Sequence, residues 1–165
     1  MTGIKPTAAR RCDDVRMHPL PHRYQVQARA GTEGVVRIGT PGAPDLATAP
    51  PPEFDGPGGC WSPETLLAAA VADCYTLAFR AVARASRLGW TAIDVSVTAE
   101  LDRADCVTRF TRLVISPRVC VDEGVSERFA ITVLEKAARS CLVTHSLLAE
   151  SVLQPEVLTG CAALA

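Results

Sequence analysis

Between Ser62 and Leu88 the chain reads SPETLLAAAVADCYTLAFRAVARASRL, and this stretch leaves the fold few options. A serine hydroxyl can accept from an unpaired N–H at a helix start, and proline suits the first helical position. Glu64 puts negative charge at the positive end of the helix dipole. From Leu66 to Phe79 every residue except Asp73 and Thr76 is apolar or small. A helix that is apolar all round is expected to be buried all round. Arg80, Arg84 and Arg87 gather at the far end, where cations suit the dipole, and Gly89 supplies a stop. Unbroken, the helix would run about 40 Å at 1.5 Å per residue. That length predicts either a kink or a partner subunit.

A chain of 165 residues suits one domain with a sizeable core, here read as residues 23–165 after an irregular arm over residues 1–22. The net charge of −1, from 17 basic and 18 acidic residues, argues against nucleic acid or an anionic membrane as a partner. The longest unbroken apolar run, Leu66–Ala72, is too short to cross a bilayer. No apolar stretch follows Lys5, Arg10 and Arg11, so no secretory signal is read and a cytoplasmic location is expected. The seven cysteines include no C-x-x-C. That pattern predicts reduced thiols, not a disulfide framework.

Along the chain, Tyr24–Ala30 reads as a short strand, Gly31–Gly34 as a turn and Val35–Ile38 as the return strand. Gly39–Gly59 is proline-rich loop with one extended piece near Leu46–Thr48, and loops of this length are often functional. After the helix, Ile93, Val95, Val97, Ala99 and Leu101 alternate with polar residues, which predicts a half-buried strand. Val107–Val121 reads as a second, longer strand with Leu113, Ile115, Val119 and Val121 facing in and Pro117 marking an edge or a bulge. Val125–Arg139 is predicted helical with Phe129, Val133, Leu134 and Ala137 on one stripe. Ser140 and Cys141 interrupt it, Leu142–Glu150 follows as a short helix, and Ser151–Leu158 as a last strand weakened by Pro155. Runs of strands and helices without strict alternation indicate an α+β fold.

Two thiols stand out. Cys74 lies near the middle of the long helix, where a free cysteine in an alanine-rich core can also be a plain small hydrophobe. Cys141 precedes a helix start, where N–H groups favour a thiolate. A pair of this kind suits an attacking and a resolving thiol. Glu64 is either a helix-end charge or a carboxylate that holds an arginine. Ten residues before Cys74, it is rotated by roughly 80° from it and shares no face with it. Asp73, a charge in an apolar helix, calls for a partner such as an arginine of another subunit. Cys141 and His145 share a helical face, but no further Cys/His pair stands at zinc-ligand spacing, so no metal is expected. Nor does a nucleotide-binding or hydrolase motif implying a cofactor occur.

Two stretches, FDGPGGCWSPETLLAAAVADCYTLAF and AARSCLVTHSLLAES, resemble the OsmC/Ohr family of osmotically inducible and organic-hydroperoxide-resistance proteins. The first is similar to the family's phenylalanine–glycine loop, its Pro-Glu helix start and a cysteine ten residues after that glutamate. The second is similar to its cysteine at the start of a short helix before the last strand. The resemblance spans about Tyr24 to Leu158. It implies an OsmC-like α+β fold and an intertwined homodimer, with long central helices packed between sheets built from both subunits. It also implies active sites at the dimer interface. By carry-over Cys74 is the peroxidatic thiol, Cys141 the resolving thiol and Glu64 the carboxylate that orients an arginine. Gly31 or Gly34 stands near the place of that arginine, so Arg29 or Arg37 is the candidate for its role, or the role is vacant. The implied substrate is an organic hydroperoxide and the implied reductant a dithiol, either a lipoyl group or a thioredoxin-like protein. Departures are Leu142, Val143 and Thr144 after the second cysteine, and Cys60 and Trp61 before the helix. Beside the peroxidase reading stands a non-catalytic one, in which the interface pocket binds a small apolar or sulfur-containing ligand.

Overall fold

A computed structural model describes residues 19–161. The expected arm over residues 1–22 lies outside the described residues except for its last four. Strands β1 (Gln27–Arg29), β2 (Val36–Gly39) and β3 (Leu46–Thr48) form a small antiparallel sheet in that order. The long helix α1 (Pro63–Ser86) follows, then strands β4 (Trp90–Ala104) and β5 (Val107–Val121), helices α2 (Glu127–Ala138) and α3 (Leu142–His145), and strands β6 (Glu150–Leu153) and β7 (Glu156–Thr159). In the second sheet β4 pairs antiparallel with β5, and both β6 and β7 pair parallel with β5. The fold is α+β.

Helix α1 starts and stops for local reasons. The Thr65 amide donates to the Ser62 hydroxyl at 3.2 Å, and the Ser62 amide donates to the Thr65 hydroxyl at 2.8 Å. Two orphan donors are thereby satisfied reciprocally. The stop is Arg87, in the left-handed region at φ 54°, with its amide bonded back to Ala83 and Arg84. Gly89 serves a different need, because a Cβ there would collide with the Asp122 carboxylate.

The expected kink is absent, since α1 runs unbroken for 24 residues, about 36 Å. All-round burial is not met within the chain. One stripe, Val71, Tyr75, Phe79 and Ala83, is buried at four-residue spacing, while Leu77 on the opposite face is 53% exposed. By length and composition alone α1 is apolar enough to cross a membrane, although its unbroken apolar run is short. Here its buried stripe packs against α2 and β4.

In β4, Ile93, Val95, Val97 and Ala99 are half-buried while Asp94, Ser96, Thr98 and Glu100 are exposed, as the alternation predicts. In β5, Leu113, Ile115, Pro117, Val119 and Val121 line the core. Pro117 is at neither an edge nor a bulge. It pairs with Val95, and the irregularities lie at Trp90/Ala92 and Glu100/Leu101. Its missing N–H points the same way as the Ile115 carbonyl, which accepts from Gln154 at 2.8 Å. That is the side where β6 covers Arg112–Ile115 and β7 covers Arg118–Val121, so proline occupies the gap between two short strands.

The same gap corrects the expected single last strand. Pro155 lacks a donor, and the chain breaks there into β6 and β7. The expected helix Leu142–Glu150 is only the four-residue α3, because Glu150 already belongs to β6. On α2 the buried stripe is Ala130, Val133, Leu134 and Ala137, with Phe129 turned outward at 41% exposure. The expectation of reduced thiols fails at one pair, since Cys120 on β5 and Cys161 after β7 form a disulfide. The parallel return of β7 along β5 brings together two residues that their separation in sequence does not link.

Phe79 is fully buried and meets Trp90 edge to face, with ring centroids 5.0 Å apart at 74°. Phe79→Ala is expected to lower the unfolding free energy by about 3–5 kcal/mol, read by urea denaturation. A loss below about 1 kcal/mol would show that this ring is not central to the core.

Candidate functional site

Cys74 lies on the half-buried flank of α1, next to the fully buried Tyr75. Cys141, itself fully buried, stands where α2 has ended and α3 begins. The structure brings these two thiols together: Cys74 packs against the buried cluster that holds Cys141, close enough for Cys141 to act on its titration. Three contacts build the approach. The Tyr75 hydroxyl donates to the Leu134 carbonyl at 3.1 Å and fixes α1 against α2. The Cys141 amide donates to the Ala138 carbonyl at 3.3 Å, which turns the chain out of α2. The Thr144 hydroxyl donates to the Cys141 carbonyl at 2.9 Å and closes the single turn of α3.

Burial pushes the Cys74 thiol up from the ordinary thiol range. A backbone hydrogen bond from Val143 pulls it down. The neighbouring Cys141 thiol pushes it up again, and the Leu142 backbone pulls it down more weakly. The net direction is upward. None of these groups is an arginine. The start of α3 therefore acts on Cys74. The backbone groups of Leu142 and Val143 carry no side-chain signature, so sequence reasoning had nothing by which to find them.

Glu64 and Arg29 are not brought to the thiols within one chain. Glu64 stands ten residues from Cys74, about 15 Å along the helix. Its Oε2 is buried with no hydrogen-bond partner among the described residues. It lines an apolar cavity of about 280 Å³ with Val36, Thr48, Ala49 and Phe54 among its walls. Gly56 holds the loop over this cavity, because a Cβ there would collide with the Pro50 carbonyl. Arg29 donates from Nη2 to Gln27 Oε1 at 2.8 Å, and its Nη1 is 3.9 Å from Asp45 Oδ2. Arg37 pairs with Arg29 across β1 and β2 and shares its face. Val36, a cavity wall, points to the opposite face from its neighbour Arg37. Both arginines therefore project away from the cavity. Asp73 is exposed on α1. Among the described residues, no group of three or more His, Cys, Asp and Glu clusters as a metal site.

The balance at Cys74 has a measurable sign. Its alkylation by iodoacetamide should reach half its limiting rate above the pH of about 8.5 typical of a free thiol. Cys141→Ala removes an upward influence and should lower that pH. Movement in the other direction, read by mass spectrometry of the modified peptide, would refute the assignment.

The OsmC-like protein family matches residues 56–156, which include α1 and both thiols. No curated protein sequence matches the chain. An organic hydroperoxide resistance protein OsmC of Legionella pneumophila is 24% identical with a TM-score of 0.65, over 85% of this chain and 99% of its own. An OsmC-like protein of unknown function from Vibrio cholerae aligns with a TM-score of 0.74 at 16% identity, over 82% of this chain and 99% of its own. An organic hydroperoxide resistance protein of Elizabethkingia anophelis gives 0.70 at 15% identity, over 86% and 99%. With its thiol-bearing helices inside the matched segment, the chain belongs to the OsmC-like family.

Proposed function

We propose that the protein is a thiol-dependent peroxidase that reduces organic hydroperoxides as a homodimer. The observation that carries this reading is the packing of Cys74 against the core that holds Cys141, beside the Leu142 and Val143 backbone. The Cys74 thiolate attacks the terminal peroxide oxygen. A sulfur–oxygen bond forms, the oxygen–oxygen bond breaks, and the alkoxide leaves as an alcohol after taking a proton. The Cys141 thiol then attacks the sulfenic sulfur, a disulfide forms and water leaves. A dithiol, such as a lipoyl group or a thioredoxin-like protein, restores both thiols by exchange.

The open face of α1 supports the dimer. Leu66, Ala70, Leu77 and Ala81 lie on the side away from the buried stripe, and exposed apolar area of this kind marks an interaction surface. The outer edge of β4, free of partners among the described strands, points the same way. So does the unpartnered Oε2 of Glu64. An arginine that touched both a Glu64 and a Cys74 would need the second copy, since the two residues of one chain are about 15 Å apart.

A second reading is favoured by the upward push on Cys74 with no arginine beside it. In that reading the protein binds a small apolar or sulfur-containing ligand without turnover. Peroxide consumption separates the two. With cumene hydroperoxide and dihydrolipoamide, wild type should turn over, Cys74→Ser should fall to background, and Cys141→Ser should give one burst without turnover. Both thiols remaining reduced in peroxide-treated wild type would leave the binding reading. For the dimer, Leu77→Glu should shift the sedimentation coefficient to that of a monomer. A wild-type protein that already sediments as a monomer would refute the assembly.

A further inference from the structure

Cys120 and Cys161 are joined through a disulfide whose Cα atoms are 6.1 Å apart, with a sequence separation of 41. The segment closed by this bond carries Cys141. After Val121 the chain leaves β5, builds α2 and α3, returns along β5 as β6 and then β7, and reaches Cys161. Strand β7 is four residues long and has β5 as its partner. Its side chains are held through Val157, half-buried against the core, and through the ion pair of Arg118 Nε with Glu156 Oε2 at 2.9 Å, both half-exposed. Short edge strands with exposed hydrogen bonds open at low free-energy cost. Helix α2 packs against β7 as well as against α1. Any displacement of β7 would pass to α2, and from its last turn through the Ala138–Cys141 bond to the Cys141 segment.

We propose that Cys120 and Cys161 are positioning residues, and that their disulfide clamps the Cys141 segment so that its sulfur stays within bonding reach of Cys74. The clamp itself is not the turning-over bond. Cys120 is 2% exposed, so an incoming dithiolate reaches this disulfide only from the Cys161 side. One disulfide forms and opens between α1 and α3 while the other holds the frame, with Cys74 and Cys141 acting as proposed above.

The test is the equilibrium of the Cys74–Cys141 pair in glutathione buffers. Glutathione disulfide takes two electrons and two protons from the pair, leaving a protein disulfide and two glutathione molecules. The buffer ratio at half oxidation reads how closely the two sulfurs are held. Wild type is compared with Cys120→Ala/Cys161→Ala, and with Cys161→Ser, which keeps the buried Cys120 side chain in place. Near-ultraviolet circular dichroism checks that each is folded. The effective concentration of the pair is expected to fall about tenfold in both variants, since displacements of about 1 Å change reactivity by up to about 10²-fold. An unchanged ratio in folded variants would overturn the inference. So would loss of the fold in both, because the bond would then serve the whole domain and not this pair. Peroxide plays no part in the measurement. Failure of the peroxidase reading would appear separately, as a Cys74 inert to hydroperoxide in a chain whose glutathione equilibrium is still measured.

Discussion

Tyr75 is buried where α1 meets α2, and its hydroxyl donates to the Leu134 carbonyl. A buried phenol left without a partner costs about 1–3 kcal/mol, so this bond selects one rotation and one height of α1 against α2. Cys74 precedes Tyr75 on α1, and Cys141 follows Leu134 by about one helical turn and a corner on the other side. Once the tyrosine is seated, the two sulfurs have little freedom left. The buried stripe of Val71, Phe79 and Ala83 extends the same contact along the helix, and the Ala130, Val133, Leu134 and Ala137 stripe answers it from α2.

The site inherits a tension from that packing. The contact that brings Cys74 to Cys141 also takes it partly out of water, and loss of water disfavours a thiolate. Two backbone hydrogen bonds offset part of this, and the neighbouring thiol works against them. Within one chain, burial prevails. An arginine would reverse the balance, but Arg29 and Arg37 are committed to the far face of the small sheet. The buried, unpartnered oxygen of Glu64 is the matching deficit at the other end of α1. The second subunit proposed above would offer both missing groups and would cover the exposed face around Leu77.

Much of the framework was legible. The Ser62–Pro63 start, the period-two alternation of β4 and the limits of β5 follow from local chemistry that tertiary contacts did not override. The readings that failed did so for local reasons as well. Pro117 looked like an edge residue because its missing donor was visible, but not the gap between β6 and β7 that accommodates it. Phe129 looked like core by size, yet Ala130 faces inward, because helical phase is set by the partner helix. Pro155, read as a weak point in one last strand, divides it into two.

The site divides in the same way. The sequence by itself determined that a thiol lies mid-helix in an apolar stretch and that another stands at a helix start. Both follow from the order of residues and the period of the backbone. Only the tertiary structure decided that the two sulfurs meet, that the α3 backbone serves Cys74, and that Cys120 reaches Cys161. Each of these depends on how segments far apart in the chain cross or run parallel. Those geometries are fixed by buried surfaces that no local pattern encodes.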